Sequence, residues 1–170
     1  MKENDLGRWT LVGPGAVGLY YGGRIAGPTR KLSVLARSDA DTLANEGIRI
    51  AMVNPKNAKI LDSIEAPLEY VTREAHTMAP TDCVIIAAKS TVNEALVESL
   101  KSIVEPGHTV LLCLQNGMGN AEFFAKHFPE NPILSGLCFV CVNRTAPGYV
   151  ENYHPGRVEV GSLGDRWPQA

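Results

Sequence analysis

Hydrophobic positions along this chain fall into short apolar runs that alternate with segments of helical spacing. The first run, Arg8 to Val12 (RWTLV), predicts a strand. From Ala16 to Ala26 the period changes, and Val17, Tyr21 and Ile25 recur at every fourth residue, the stripe of a helix. Gly18, Gly22 and Ala26 form a neighbouring stripe almost without side chain, which lets that helix lie close on a sheet. Gly27-Pro28 predicts its end. Leu32 to Ala36 predicts a second strand, and Ser38 to Glu46 a short helix closed by Gly47. Ile48 to Val53 and Lys59 to Ile64 predict two strands about the turn Asn54-Pro-Lys-Asn57.

The second half continues the plan. Asp82 to Ala88 (DCVIIAA) is a near-continuous apolar run, as expected of a strand buried on both faces. Thr91-Val-Asn-Glu94 has the form of a capping box. The helix it predicts carries Val92, Leu96, Leu100 and Ile103 on one face and ends at Pro106-Gly107. Thr109 to Leu114 predicts another buried strand, and Asn120 to His127 a helix with Phe123, Phe124 and Phe128 facing inward. Ile133 to Val142 predicts a long strand, turned by Ala-Pro-Gly at 146–148. Tyr149 to His154 and Arg157 to Val160 then predict an antiparallel hairpin around Pro155-Gly156. Alternating strands and helices define an α/β fold: a doubly wound, mainly parallel sheet with helices on both faces and a C-terminal antiparallel hairpin at the edge.

Composition narrows the class. At 170 residues and 45% hydrophobic, the chain is long and apolar enough for one buried core. A net charge of −2 gives no bulk attraction for nucleic acid or an anionic membrane. No apolar run approaches the ~20 residues of a membrane span. MKENDLGR has no apolar stretch of the secretory type, so a cytoplasmic protein is expected. Cys83, Cys113, Cys138 and Cys141 all fall in apolar, strand-like runs. Cys138 and Cys141 have zinc or redox spacing, but on a strand such residues point to opposite faces. All four are read as buried, reduced core thiols, and no metal site is expected.

Chemistry concentrates at the ends of the predicted strands. Gly13-Pro14-Gly15-Ala16-Val17-Gly18 fits G-x-G-x-x-G between a strand and a helix. In that setting one glycine allows the turn, the second lets a pyrophosphate reach the backbone, and the third lets helix pack on strand. The phosphates would meet free N–H groups at a helix N-terminus. The second strand ends in Arg37, 19 residues after Gly18, where an NAD site usually has an acid for the ribose hydroxyl. A guanidinium suits a 2′-phosphate and tilts the reading to NADP. Asp39 competes for that place, but in Ser-Asp-Ala-Asp it is read as the helix start. Lys89 closes the strand CVIIAAK and Asn116 follows the next one, both at carboxyl ends where open α/β sheets bind ligands. The plain alternatives are a structural glycine turn, a surface arginine, a solvated lysine and a turn-forming Asn-Gly.

With GPGAVG at 13–18, Arg37, AAKS around Lys89, LQNGMG at 114–119 and VEVG at 158–161, the chain resembles the N-terminal domain of ketopantoate reductases (2-dehydropantoate 2-reductases). The resemblance spans nearly the whole chain and implies a Rossmann-type NADP-binding domain. It implies NADPH-dependent reduction of 2-dehydropantoate to (R)-pantoate in pantothenate biosynthesis. Arg37 would hold the 2′-phosphate, and Lys89 and Asn116 would lie by the nicotinamide and the substrate. The family carries its general acid, a lysine, on a second, helical domain. Residues 1–162 are accordingly expected to form the cofactor domain and 163–170 the start of a linker, with the helical domain absent and the chain alone inactive. An uncovered apolar face would favour pairing of two copies. Two other readings stay open: another 2-keto-acid or 3-hydroxy-acid reductase, and a free-standing, non-catalytic NADP-binding module.

Overall fold

A computed structural model describes residues 7–27 and 30–164. Pro28 and most of the expected linker, 165–170, lie outside the described residues. The elements are β1 (Arg8–Val12), α1 (Ala16–Ile25), β2 (Lys31–Leu35), α2 (Ala40–Glu46), β3 (Ile48–Val53), β4 (Ile60–Ala66), β5 (Tyr70–Thr72), β6 (Cys83–Ile86), α3 (Asn93–Leu100), β7 (Val110–Cys113), α4 (Asn120–His127), β8 (Ile133–Ala146) and β9 (Tyr149–Ser162). Among the described residues the strands form one sheet in the order β4-β3-β9-β8-β7-β6-β1-β2-β5. Pairing is parallel from β8 through β7, β6, β1 and β2 to β5, and again between β3 and β9. It is antiparallel within the hairpins β8–β9 and β3–β4, and β4 and β5 are the two edges.

Strand alternation splits the core into two layers. Leu11, Cys83, Ile85 and Leu112 face α1, whereas Val12, Val84, Ile86, Leu111 and Cys113 face α3 and α4. Each fully buried Leu or Ile contributes about 1.5–3 kcal/mol of apolar transfer. The sheet curls around α1, which packs against β1 and β6 on one side and β3, β4, β8 and β9 on the other. Its small-residue stripe permits this. A Cβ on Gly22 of that stripe would lie 3.0 Å from Leu11 Cδ2, and the adjacent Gly23 is as tightly covered, its Cβ falling 2.8 Å from Ile48 Cγ2.

Three expectations are corrected. The hairpin around Pro155-Gly156 does not form, because Tyr149 to Ser162 is a single strand laid along β8. Proline has no N–H for the ladder, and the Gly156 N–H is given to Tyr20 Oη at 3.1 Å. The pairing register shifts at that point, and a Gly156 Cβ would sit 2.4 Å from the Tyr20 ring. The late hairpin is therefore β8–β9, and β3 covers the free side of β9. The capping box at Thr91 is not made. Ser90–Val92 is a 3-10 turn, α3 starts at Asn93, and no side chain caps it. Instead the Asn93 amide is engaged in the core, accepting from Gln115 Nε2 at 2.8 Å and donating to Asn120 Oδ1 at 3.1 Å.

The cysteines divide. All four are free; Cys83 and Cys113 are buried, and burial pushes both thiols up to about 12. Cys138 is half-buried beside Tyr21, and Cys141 is exposed. The cause is the length of β8, which runs beyond the layers that cover β6 and β7. Among the described residues no three His, Cys, Asp or Glu side chains cluster, and no helix is long and apolar enough to cross a membrane.

Candidate nucleotide-binding site

The carboxyl ends of β1, β2 and β6 open into one cleft of about 420 Å³. Gly13, Pro14 and Gly15 line it together with Arg37 and Lys89, and Thr91, Val92 and the α3 residues Ala95, Leu96 and Ser99 line another side. The glycines named by the motif do different jobs. Gly13 has φ +85°, and a Cβ there would lie 2.4 Å from the backbone of Ala88, so the close partner is the neighbouring strand end. Gly18 is buried, and its Cβ would meet the Gly13 carbonyl oxygen at 2.5 Å. Gly15 is different: a Cβ there would meet nothing within 4 Å. It is exposed and borders the cleft.

Gly15 also caps α1. No side chain caps that terminus and its first turn holds no acid, which leaves its N–H groups free for an outside anion. Ala16 and Val17, half-buried in that first turn, sit beside this end. Arg37 is exposed, and among the described residues its guanidinium has no hydrogen-bond or ion-pair partner. Lys89 is likewise exposed and unpaired. Asn116 is exposed on the loop after β7 and is not among the cleft-lining residues. That loop is anchored by Asn120 Nδ2, which donates to the carbonyls of Asn116 and Gly117 at 3.1 and 3.2 Å. Gln115 Nε2 ties it to the Ala88 carbonyl at 2.8 Å, just before Lys89.

Two arginines that the motifs did not indicate complete the cleft. Arg73, after β5, donates through Nε to the Arg37 carbonyl at 3.0 Å and grips Asp41 through both Nη atoms at 3.1 and 2.9 Å. These hydrogen bonds hold the Asp41 carboxyl below its ordinary range. Arg144 reaches from β8 to Asp39 Oδ2 at 2.6 Å, and Ser38 Oγ donates to the other oxygen at 2.8 Å. Among the described residues the cleft thus carries four cations, with Asp39 as its single lining carboxylate. A dinucleotide fits these residues: an open glycine cradle, a free helix N-terminus and an unpaired guanidinium suit phosphates. Neither arginine had a sequence signal, since each lies in a polar stretch without a motif.

The fold is of the doubly wound, Rossmann-like α/β class, with the cleft at the carboxyl ends of its parallel strands. The chain belongs to the ketopantoate reductase family: the family model described as Ketopantoate reductase PanE/ApbA matches residues 9–165. This is a family of oxidoreductases with a nucleotide-binding fold. A 2-dehydropantoate 2-reductase of Nostoc sp. is 29% identical over 154 residues, covering 91% of this chain and 46% of that protein. The crystal structure of 2-dehydropantoate 2-reductase from Methylococcus capsulatus aligns with a TM-score of 0.78 and 30% identity, over 91% of this chain and 48% of that one. A ternary structure of D-mandelate dehydrogenase with NADH and anilino(oxo)acetate aligns with a TM-score of 0.74 and 25% identity, over 93% of this chain and 49% of that one. The chain spans about half the length of the curated relatives it matches.

Proposed function

We propose that this chain is the cofactor-binding half of an NADPH-dependent reductase acting on 2-dehydropantoate. The observation that carries the reading is one cleft holding both the open Gly15 cradle and the unpaired Arg37. In this reading Gly13 to Gly18 and the α1 N-terminus take the pyrophosphate, and Arg37 takes the 2′-phosphate. The cofactor supplies a hydride to the ketone carbon. Lys89 and Asn116 orient the ketone and nicotinamide from the strand-end side. The family resemblance puts the general acid on the remaining half of such enzymes, so residues 1–162 serve as the cofactor domain and 163–170 lead out of it. By itself the chain then binds NADPH without measurable turnover, because a ketone needs positioning within about 3–3.5 Å of its reaction partner and a proton donor in reach.

The exposed Leu137 and Phe139 of β8 lie on one face of the hairpin and the exposed Val158 and Val160 of β9 on the other, and either face offers apolar positions against which a second half, or a second copy, would pack. A cytoplasmic setting goes with free thiols, Cys141 among them exposed.

Titration of NADPH and NADH against the wild type and Arg37→Ala tests the reading. We expect NADPH to bind about tenfold or more tightly than NADH in the wild type, on the scale of a charge-assisted contact, and the difference to vanish in the variant. Equal affinities in the wild type would sink the NADP assignment. The similarity to a D-mandelate dehydrogenase that holds NADH favours a second reading, another 2-keto-acid reductase. Turnover of a panel of 2-keto acids, with the full enzyme, separates the two. Lys89 and Asn116 weigh against a purely binding module, which needs neither.

A further inference from the structure

Asp39 lies two residues beyond the Arg37 strand end, where dinucleotide folds that prefer NAD place their ribose-binding acid. A carboxylate beside a 2′-phosphate repels it, so this cleft holds a group that opposes the proposed preference. The structure shows where that charge goes. Asp39 is 6% exposed, and both of its oxygens are engaged, one by Arg144 Nη1 at 2.6 Å and the other by Ser38 Oγ at 2.8 Å. Arg144 lies 105 residues away in sequence and borders the same cleft, its side chain 41% exposed. Arg73 works beside it in the same sense, with its guanidinium held by Asp41 and its Nε clamping the Arg37 backbone.

We infer that Arg144 is a specificity-determining residue: it neutralises Asp39 and draws the carboxylate out of the ribose site, so that the cleft accepts a 2′-phosphorylated dinucleotide. Its role is exerted through Asp39, which makes it a positioning residue. The inference rests on the dinucleotide reading of the cleft. It adds a source of selectivity that Arg37 alone does not supply.

The experiment is a fluorescence titration of NADPH and NADH against the wild type, Arg144→Gln, Arg144→Lys and the double variant Asp39→Asn/Arg144→Gln, with thermal melts of each. Arg144→Gln should lower the NADPH-to-NADH affinity ratio about tenfold, the scale of one unscreened charge near a surface. Arg144→Lys should keep most of the ratio. The double variant, which removes both charges, should restore it. A ratio unchanged in Arg144→Gln, or both cofactors weakened equally, overturns the inference. So does a fall that the double variant fails to restore, because Arg144 would then act by touching the phosphate directly. Should Arg144→Gln not fold, Asp39→Asn alone serves: the ratio should hold or rise, and a fall overturns the inference. A folded wild type that binds neither cofactor overturns the dinucleotide reading itself, and this inference with it. A wild type that prefers NADPH while Arg144→Gln leaves the ratio unchanged sinks only the inference.

Discussion

The two ends of the parallel strands treat polar side chains in opposite ways. At the amino ends a cluster of polar side chains is spent on one another and on nearby backbone groups. Asp82 accepts from the Arg8 amide and pairs with His108, both at 2.7 Å. Buried Thr109 donates to the Thr81 carbonyl at 2.6 Å, Thr81 donates to the Arg8 carbonyl at 2.7 Å, and Asn131 donates to two carbonyls at 2.8 Å. At the carboxyl ends Arg37 and Lys89 are left without partners among the described residues, and Gly15 opens onto empty space. One end is satisfied and serves stability. The other keeps its donors for something that arrives from outside, because every donor already paired within the chain is one fewer for a ligand.

The sharpest way to break this comparison sits inside the glycine turn. Gly13→Ala should destabilise the fold by about 3–5 kcal/mol, from a left-handed φ and a collision with the Ala88 backbone. The melting temperature in a thermal scan checks it; an unchanged melt would mean that the strand ends are not in contact as described. Two residues on, Gly15→Val should leave the melt almost untouched, since its φ of −78° suits any residue and its Cβ has free space. It should nevertheless weaken NADPH binding by about 100-fold or more, roughly 2.7 kcal/mol, by filling the phosphate cradle. Normal binding by that variant would remove the cradle from the site.

The smallest effect is expected at the satisfied end. The Asp82 hydrogen bond raises the His108 pKa, and the Arg8 amide and then His108 lower that of Asp82. The His108 contribution is therefore fully present below its unfolded value of about 6.5 and is lost as pH rises through the higher folded value. The Asp82 contribution is present above about 3.9 and is lost as pH falls through its depressed folded value. Both side chains are about half exposed, at 57% and 46%, so the pair should contribute under about 1 kcal/mol. Stability should decline slightly from pH 6 to 8 in denaturant melts, and His108→Gln should flatten that slope. The same slope in the variant would assign it to another group.

What the amino-acid sequence determined by itself was local. Period-four and near-continuous apolar runs report helices and buried strands because each residue's burial follows from its own backbone geometry. The glycine turn, Arg37 and Lys89 were legible for the same reason, as each follows a strand within three residues and the strand end fixes where it goes. Tertiary structure alone decided the rest. Nothing near Pro155-Gly156 says that the Tyr20 ring will lie against it and turn an apparent hairpin into a bulge in one long strand. The short strand Tyr70–Thr72 gains its identity only by pairing with β2. The exposure of Cys141 follows from how far β8 outruns its neighbours, which its apolar sequence does not encode. Arg73 joins the cleft because β5 pairs in parallel with the end of β2, and Arg144 because the sheet curls around α1 and brings β8 back to Asp39. A contact across 105 residues is set by the closing of the whole sheet, and no local pattern carries that information.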